Sequence, residues 1–442
     1  MTLHFHAAPP QGWLNDPCGL VWTQGAYRLF AQHRVDAPQF ERVGWARFSS
    51  RDLLDWRFDG MVIPPEGVNS MYSGCVRSRG NRLDALHTIH DHVTDMQHQV
   101  RRDSGDGGLT WSNAVSLLAE GRDQRDPFVF EPAAAPRRML LARPGGWRPS
   151  AGDPPSHVDV LEEGGDGWRT IGEIGPFSPQ GVVWEMPAVV RCAHGDLLFV
   201  STIDRRNGRS LSQMRAWYGA MTQDGFTRAR HWPEEGRRVD LGPDFYAMIP
   251  TSAPPASYMA WLGSWDTARR MPWPGFHGGP ISLPRRIGVR QVAGEWRLVH
   301  RPARGLAARF SNICGPRAPH SGLGAATLDG EHAFQLTITS YAGSVVVSGD
   351  IRTGTLSVAR QGADWLEWRE DHQDVLRSTH LRRIALFLDG PAIELFVTPE
   401  GHAVSIVLPK TEGEPFDVVL EQHGSRAAFT FARLPDALTT IS

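Results

Sequence analysis

The chain has 442 residues, 41% of them apolar and 21% charged, with a formal net charge of −2. That length predicts two domains, and the near-neutral balance argues against nucleic acid or a membrane surface as partner. Glycine (46) and proline (33) are abundant, which suits many short strands and turns better than long helices.

The opening, MTLHFHAAPPQGW, has no basic stretch followed by an apolar one, so no signal peptide is read there. No apolar run reaches the roughly 18 residues that a membrane span needs. The expected location is the cytoplasm, or outside the cell if a leader has been removed. Cys18, Cys75, Cys192 and Cys314 lie far apart, as suits free thiols in a reducing compartment.

A recurrence then organises the first 300 residues. Trp56 ends SRDLLDW, Trp111 ends SGDGGLTW, Trp168 ends EGGDGW, Trp232 closes QDGFTRARHW and Trp296 ends AGEW, at spacings of 55, 57, 64 and 64 residues. A unit of about 40–60 residues with hairpin turns fits a four-stranded propeller blade. Five such units predict a five-bladed β-propeller over residues 1–300. The segment RPARGLAARFSNICGPRAPHSGLG then reads as a connection. Alternating runs such as FQLTITSY, GSVVVSGDI, RRIALFLDG and AIELFVTPEGHAVSIVLP follow it. They predict a β-sandwich over residues 301–442, and the fold class is all-β.

Three carboxylates stand among aromatic or turn-forming neighbours: Asp16 in WLNDPCG, Asp126 in GRDQRDPFVF and Glu185 in VVWEMPAVV. Singly, each reads as ordinary structure: an Asx turn at Asp16, a strand start at Asp126-Pro127, a buried ion pair at Glu185. Together they suggest chemistry, because the innermost strands of propeller blades converge on one channel. Two carboxyls about 5 Å apart suit double-displacement glycoside hydrolysis. Glu185, in an apolar run, has the surroundings of a general acid. Asp16, in a turn rich in donors, is expected to stay ionised as a nucleophile must.

These stretches resemble glycoside hydrolase family 32, the β-fructofuranosidases that include invertases, inulinases and levanases. WLNDPCG is similar to that family's W-M-N-D-P-N-G, RDP at 125–127 to its R-D-P, and WEMP to its W-E-C-P. MYSGC, DLGPDFYA, WLGSWDTARRMPWPGFHGGPISLPRRI and IALFLDGPAIELFV resemble further family segments in the same order. The resemblance spans nearly the whole chain and implies a propeller followed by a sandwich.

It implies roles as well. Asp16 would be the nucleophile on a terminal fructosyl unit, Glu185 the acid/base, and Asp126 a transition-state stabiliser helped by Arg125. Asn15, Gln32, Tyr72, Ser73 and Trp265 would bind the same sugar, and Trp13 and Trp45 would wall it. No cofactor and no metal is implied. The chain departs from the family pattern at Cys18, Tyr72, Cys75 and Met186, and Phe40 falls near a position where the family often has Trp. Met186 should leave Glu185 in drier surroundings. His87, His90, His92 and His98 in HTIHDHVTDMQH fit no standard metal spacing and read as structural or surface residues.

The expected function is release of β-fructofuranosyl units from sucrose or a fructan. A fructosyltransferase on the same scaffold, a sucrose-6-phosphate hydrolase and a non-catalytic fructan-binding protein are the alternatives. The partner is a fructoside, and homo-oligomerisation is left open.

Overall fold

Runs in which apolar and polar side chains alternate form strands almost throughout. Phe334–Ser340, for example, buries Phe334, Leu336 and Ile338 and turns Gln335 outward, as a half-buried strand requires. The computed structural model describes residues 3–435 apart from 37, 39, 120–122, 133–135, 145–154, 178–181, 193, 207–208, 252–256, 274, 293–294, 374 and 377–380. Among these there is no α-helix, only a short 3-10 turn at Ala307–Arg309.

Strands up to residue 302 form five sheets of four or five strands. Their innermost strands are Gly12–Thr23, Ser70–Arg79, Arg125–Phe130, Val182–Cys192 and Tyr246–Pro250. Each of these packs on the next, and the last returns to the first, so the five blades close a ring. The inner strands are buried on both faces: every residue of the first from Trp13 to Val21 is buried. Close packing also sets residue size. A Cβ on Gly74 would stand 2.0 Å from the Leu86 carbonyl oxygen, so only glycine fits that position of MYSGC.

The tryptophan recurrence marks the outer edge of the blades. Trp168 and Trp296 lie in the outermost strands Gly167–Ile174 and Glu295–Pro302. Trp56 and Trp111 precede the outermost strands Arg57–Ile63 and Val115–Ser116. Trp232 sits between Phe226–Arg228 and Arg237–Arg238 at the edge of the fourth blade.

The strands after residue 311 form two six-stranded sheets facing each other as a sandwich. The stretch read as a connection is more ordered than expected. It holds the strand Asn312–Gly315 and the start of Ser321–Leu328, which lies inside a sheet. Its glycines and alanines gave no alternation of large side chains. Gly324 has no room for a side chain because the Phe431 ring stands 2.5 Å from where its Cβ would be.

A buried ionic seam joins propeller to sandwich. Arg285 is fully buried and donates from Nε to Glu394 at 2.9 Å and from Nη1 to Asp240 at 2.5 Å. Arg360 Nη1 reaches Asp244 at 2.7 Å. His6 touches Asp389 through Nδ1 and Glu394 through Nε2, each at 2.9 Å. Burial pushes the His6 imidazole down, but hydrogen bonds from both carboxylates and their charges outweigh it and lift it to about 9. Asp240, Asp244, Arg285, Asp389 and Glu394 all come from the segments quoted for the resemblance. The structure shows that these segments hold the two lobes together.

Candidate active site

Every inner strand is irregular at the same level of the ring. Pairing with the neighbouring strand slips between Leu14 and Pro17, between Met71 and Gly74, opposite Arg125 to Phe128, between Glu185 and Ala188, and between Tyr246 and Ile249. Such bulges re-aim side chains and are common beside active sites. Asp126, Met186 and Ala247 there carry positive φ values of 59°, 49° and 53°, a strain of about 1 kcal/mol or more each. The Asn15-Asp16-Pro17-Cys18-Gly19 stretch, read as a turn, is thus a bulge within a long strand.

These bulges bring the three expected carboxylates into one buried cluster. Asp16, Asp126 and Glu185 are exposed to only 8%, 5% and 7%. Asp16 Oδ2 accepts from Ser73 Oγ at 2.8 Å, and its buried Oδ1 has no hydrogen-bond partner among the described residues. Asp126 accepts from the Met186 backbone N–H at 2.9 Å, and its own N–H donates to Thr88 Oγ1 at 3.1 Å. Position 186 therefore acts through its backbone. Glu185 accepts from Arg125 at 3.3 Å and from the Tyr246 hydroxyl at 2.7 Å.

The charges depart from the sequence expectation. Burial, with the Glu185 charge added, pushes Asp16 up to about 7 against the pull of Ser73. Burial and the same neighbour push Asp126 up to about 8, although Arg125 opposes them. The donors expected around Asp16 reduce to too few to offset desolvation. Asp16 and Asp126 are thus both raised towards neutral pH in spite of the Arg125 guanidinium.

The remaining expected residues surround this cluster at different depths. Trp13 Nε1 donates to Asn15 at 3.0 Å and Asn15 Nδ2 to Gln32 at 2.5 Å, fixing the amides. Trp265, half-buried, stacks on Trp13 at 6.3 Å and meets Phe40 edge-on at 5.0 Å. Tyr72, also half-buried, stacks on Phe40 at 5.7 Å. Trp45 is fully buried behind them, with its Nε1 on the Tyr72 carbonyl at 3.1 Å. It supports the wall from the back.

Sequence reasoning named DFYA without giving Tyr246 a role, and it missed Thr88. A tyrosine inside a motif beside two acids is a findable signal. Thr88 has none, since only the bulge brings it to Asp126. Of the four histidines His90 and His92 meet, with ring centroids 4.4 Å apart. His87 is buried with Arg102 Nε on its Nε2 at 3.2 Å, and burial and Arg102 push it down to about 3. His90 and His92 hydrogen-bond Tyr72 and Ser70, and His98 is exposed. All four cysteines are unpaired. Among the described residues no helix is long and apolar enough to cross a membrane.

The family model for the N-terminal domain of glycosyl hydrolases family 32 matches residues 6–302. The chain is similar to an extracellular exo-inulinase of Aspergillus niger, 21% identical with 95% of this chain and 93% of the relative covered. It is also similar to a sucrose-6-phosphate hydrolase of Escherichia coli, 22% identical with 96% and 94% covered. Among solved structures, the exo-inulinase of Aspergillus awamori superposes with a TM-score of 0.81, covering 98% of each chain at 16% identity.

Proposed function

The chain belongs to glycosyl hydrolase family 32, and from that premise we propose that Asp16, Glu185 and Asp126 cleave a terminal fructofuranoside with retention. The enzyme is a glycosidase that releases fructosyl units from sucrose or fructans. One observation carries the residue assignment. Three acids from three blades meet at bulges in one buried ring, Ser73 holding one and Tyr246 with Arg125 another.

Asp16 attacks the anomeric carbon as Glu185 passes its proton to the departing oxygen, giving a fructosyl ester on Asp16. Glu185, now a carboxylate, takes a proton from water, whose oxygen attacks the same carbon and frees Asp16. The first step requires the cluster's proton to sit on Glu185. Sugar hydroxyls donating to Asp126 would keep that carboxylate ionised and leave the proton where it is needed. The half-buried aromatic rings of Trp265 and Tyr72 offer flat faces to sugar C–H groups.

Incubation with sucrose, inulin and levan, with products separated by anion-exchange chromatography, tests this reading. Free fructose that disappears with Asp16→Asn is expected. Longer oligosaccharides would assign a fructosyltransferase, and no product from any donor would overturn the reading.

A further inference from the structure

Phe40 and Tyr72 form one aromatic wall with Trp265. Tyr72 follows Met71 into the same bulge as Ser73, so the two side chains diverge: Ser73 turns to Asp16, and Tyr72 turns to the Phe40 ring and to His90. The Tyr72 hydroxyl meets His90 Nδ1 at 2.7 Å, and His90 Nε2 meets Asp95 at 2.8 Å. Asp95 stands on an exposed turn with a positive φ of 56°. From within, the charges of Arg125 and Glu185 act on the same phenol. Tyr72 thus feels the charge of the acid Glu185 on one side and is linked through His90 to the exposed Asp95 on the other.

The hydrogen-bond chain has a direction. A carboxylate only accepts, so Asp95 takes the proton of His90 Nε2–H. In the tautomer that carries its single ring proton on Nε2, His90 accepts at Nδ1 the hydrogen bond of the Tyr72 hydroxyl. With that proton committed, Tyr72 offers lone pairs to a ligand and no donor. Lone pairs beside Asp95 welcome a hydroxyl and repel a phosphate. The two departures met in the sequence, tyrosine at 72 and phenylalanine at 40, are in contact. The hydroxyl that tyrosine adds is the atom His90 engages.

We propose that Tyr72, positioned by His90 and Asp95, forms the leaving-group subsite and selects an uncharged, hydroxyl-bearing leaving group over a phosphorylated one. This rests on the fructosidase reading above and narrows it to neutral fructosides. The neutral leaving group is either the glucosyl half of sucrose or the next fructosyl unit of a fructan; the chemistry at Tyr72 is the same for both.

The test measures kcat and KM for four substrates: sucrose, an inulin-type trisaccharide, sucrose phosphorylated on its glucosyl half, and methyl β-fructofuranoside. The last keeps the fructosyl unit and removes every leaving-group hydroxyl. The unmodified protein is expected to turn over sucrose or the trisaccharide well and the phosphorylated sugar poorly. In Tyr72→Phe and in His90→Phe, kcat/KM for the preferred neutral sugar relative to methyl fructoside should fall about fivefold, the worth of one neutral hydrogen bond. The loss should appear in KM, and the double variant should lose no more than either single one. Tyr72→Phe, which removes one oxygen, keeps the test valid if His90→Phe folds poorly.

A preference for the phosphorylated sugar overturns the inference. So does an equal fall for methyl fructoside, which would mark His90 and Tyr72 as merely structural. Turnover of none of the four by the unmodified protein overturns the fructosidase reading itself, a result distinct from either of these.

Discussion

In the channel, three buried carboxylates lie beside one guanidinium, Arg125, and Asp16 Oδ1 has no hydrogen-bond partner among the described residues. In the seam, Asp240, Asp389 and Glu394 are as deeply buried, yet each accepts at least three hydrogen bonds, from Arg285, His6, Ser405 or backbone N–H groups. The carboxyls respond in opposite senses. Burial lifts Asp16 and Asp126 to about 7 and 8. Asp389 and Glu394, equally desolvated, are held below their ordinary range by His6, and Glu394 also by Arg285. Depth alone therefore does not set a buried acid's state, and neither does the number of donors: Asp244, in the same seam with Arg360, Thr267 and the Val407 N–H on it, is still raised by burial. The channel leaves its acids under-supplied, which keeps a proton and a free lone pair available for a substrate.

The sharpest way to break this contrast is to neutralise a channel acid. Asp16→Asn and Glu185→Gln should each lower kcat by roughly 10⁴-fold or more. Yet Asp16→Asn should melt several degrees higher than the unmodified protein at pH 8 and equally at pH 4. A carboxyl raised in the fold contributes stability below its unfolded value of 3.8, and that stability is lost as pH rises through about 7. Calorimetry at the two pH values checks the sign, and a lower melting temperature at pH 8 would refute it.

The reverse experiment is made in the seam. Glu394→Gln leaves Arg285 with Asp240 and His6 with Asp389 as their remaining buried carboxylates and should cost about 3 kcal/mol of stability, while kcat of the folded protein at low temperature stays near normal. Denaturant unfolding with parallel kinetics separates the two effects. Between these extremes, Tyr246→Phe removes one donor from Glu185 and should lower kcat/KM about tenfold, with little change in melting temperature. The mildest effect is seam titration. His6, raised from 6.5 to about 9, stabilises fully below pH 6.5 and loses that contribution as pH rises towards 9. The decline in melting temperature across this window should be shallower in His6→Gln, the remainder belonging to the raised channel carboxyls.

How legible these regions were in the sequence differs for a physical reason. Asp16, Asp126 and Glu185 could be read because each stands in a short local stretch, and turns and apolar flanks are local signals. The blades could be read because hairpins repeat. The bulges that aim the acids could not, since register is settled between strands: nothing in RDPFVF announces a positive φ at Asp126. The seam could be noticed only as resemblance. Its partners are far apart, Arg285 and Glu394 being 109 residues from each other, and pairing at that range leaves no pattern in a single chain. The protonation of Asp16 was misjudged because desolvation depends on the whole ring.

The five irregular inner strands have one more consequence. In four blades the innermost strand is an edge, with backbone N–H and C=O groups unpaired on one side, and a regular edge is a template for another strand; in the first blade Phe276–Gly278 already pairs with Gly12–Leu14. Here each edge is interrupted by a bulge, and three of them also by a residue of positive φ. Among the described residues only the short Phe276–Gly278 adds to an inner strand, and its pairing ends at Leu14, where the bulge begins. The distortions that aim the acids thus also keep the channel from being zipped shut while the blades assemble.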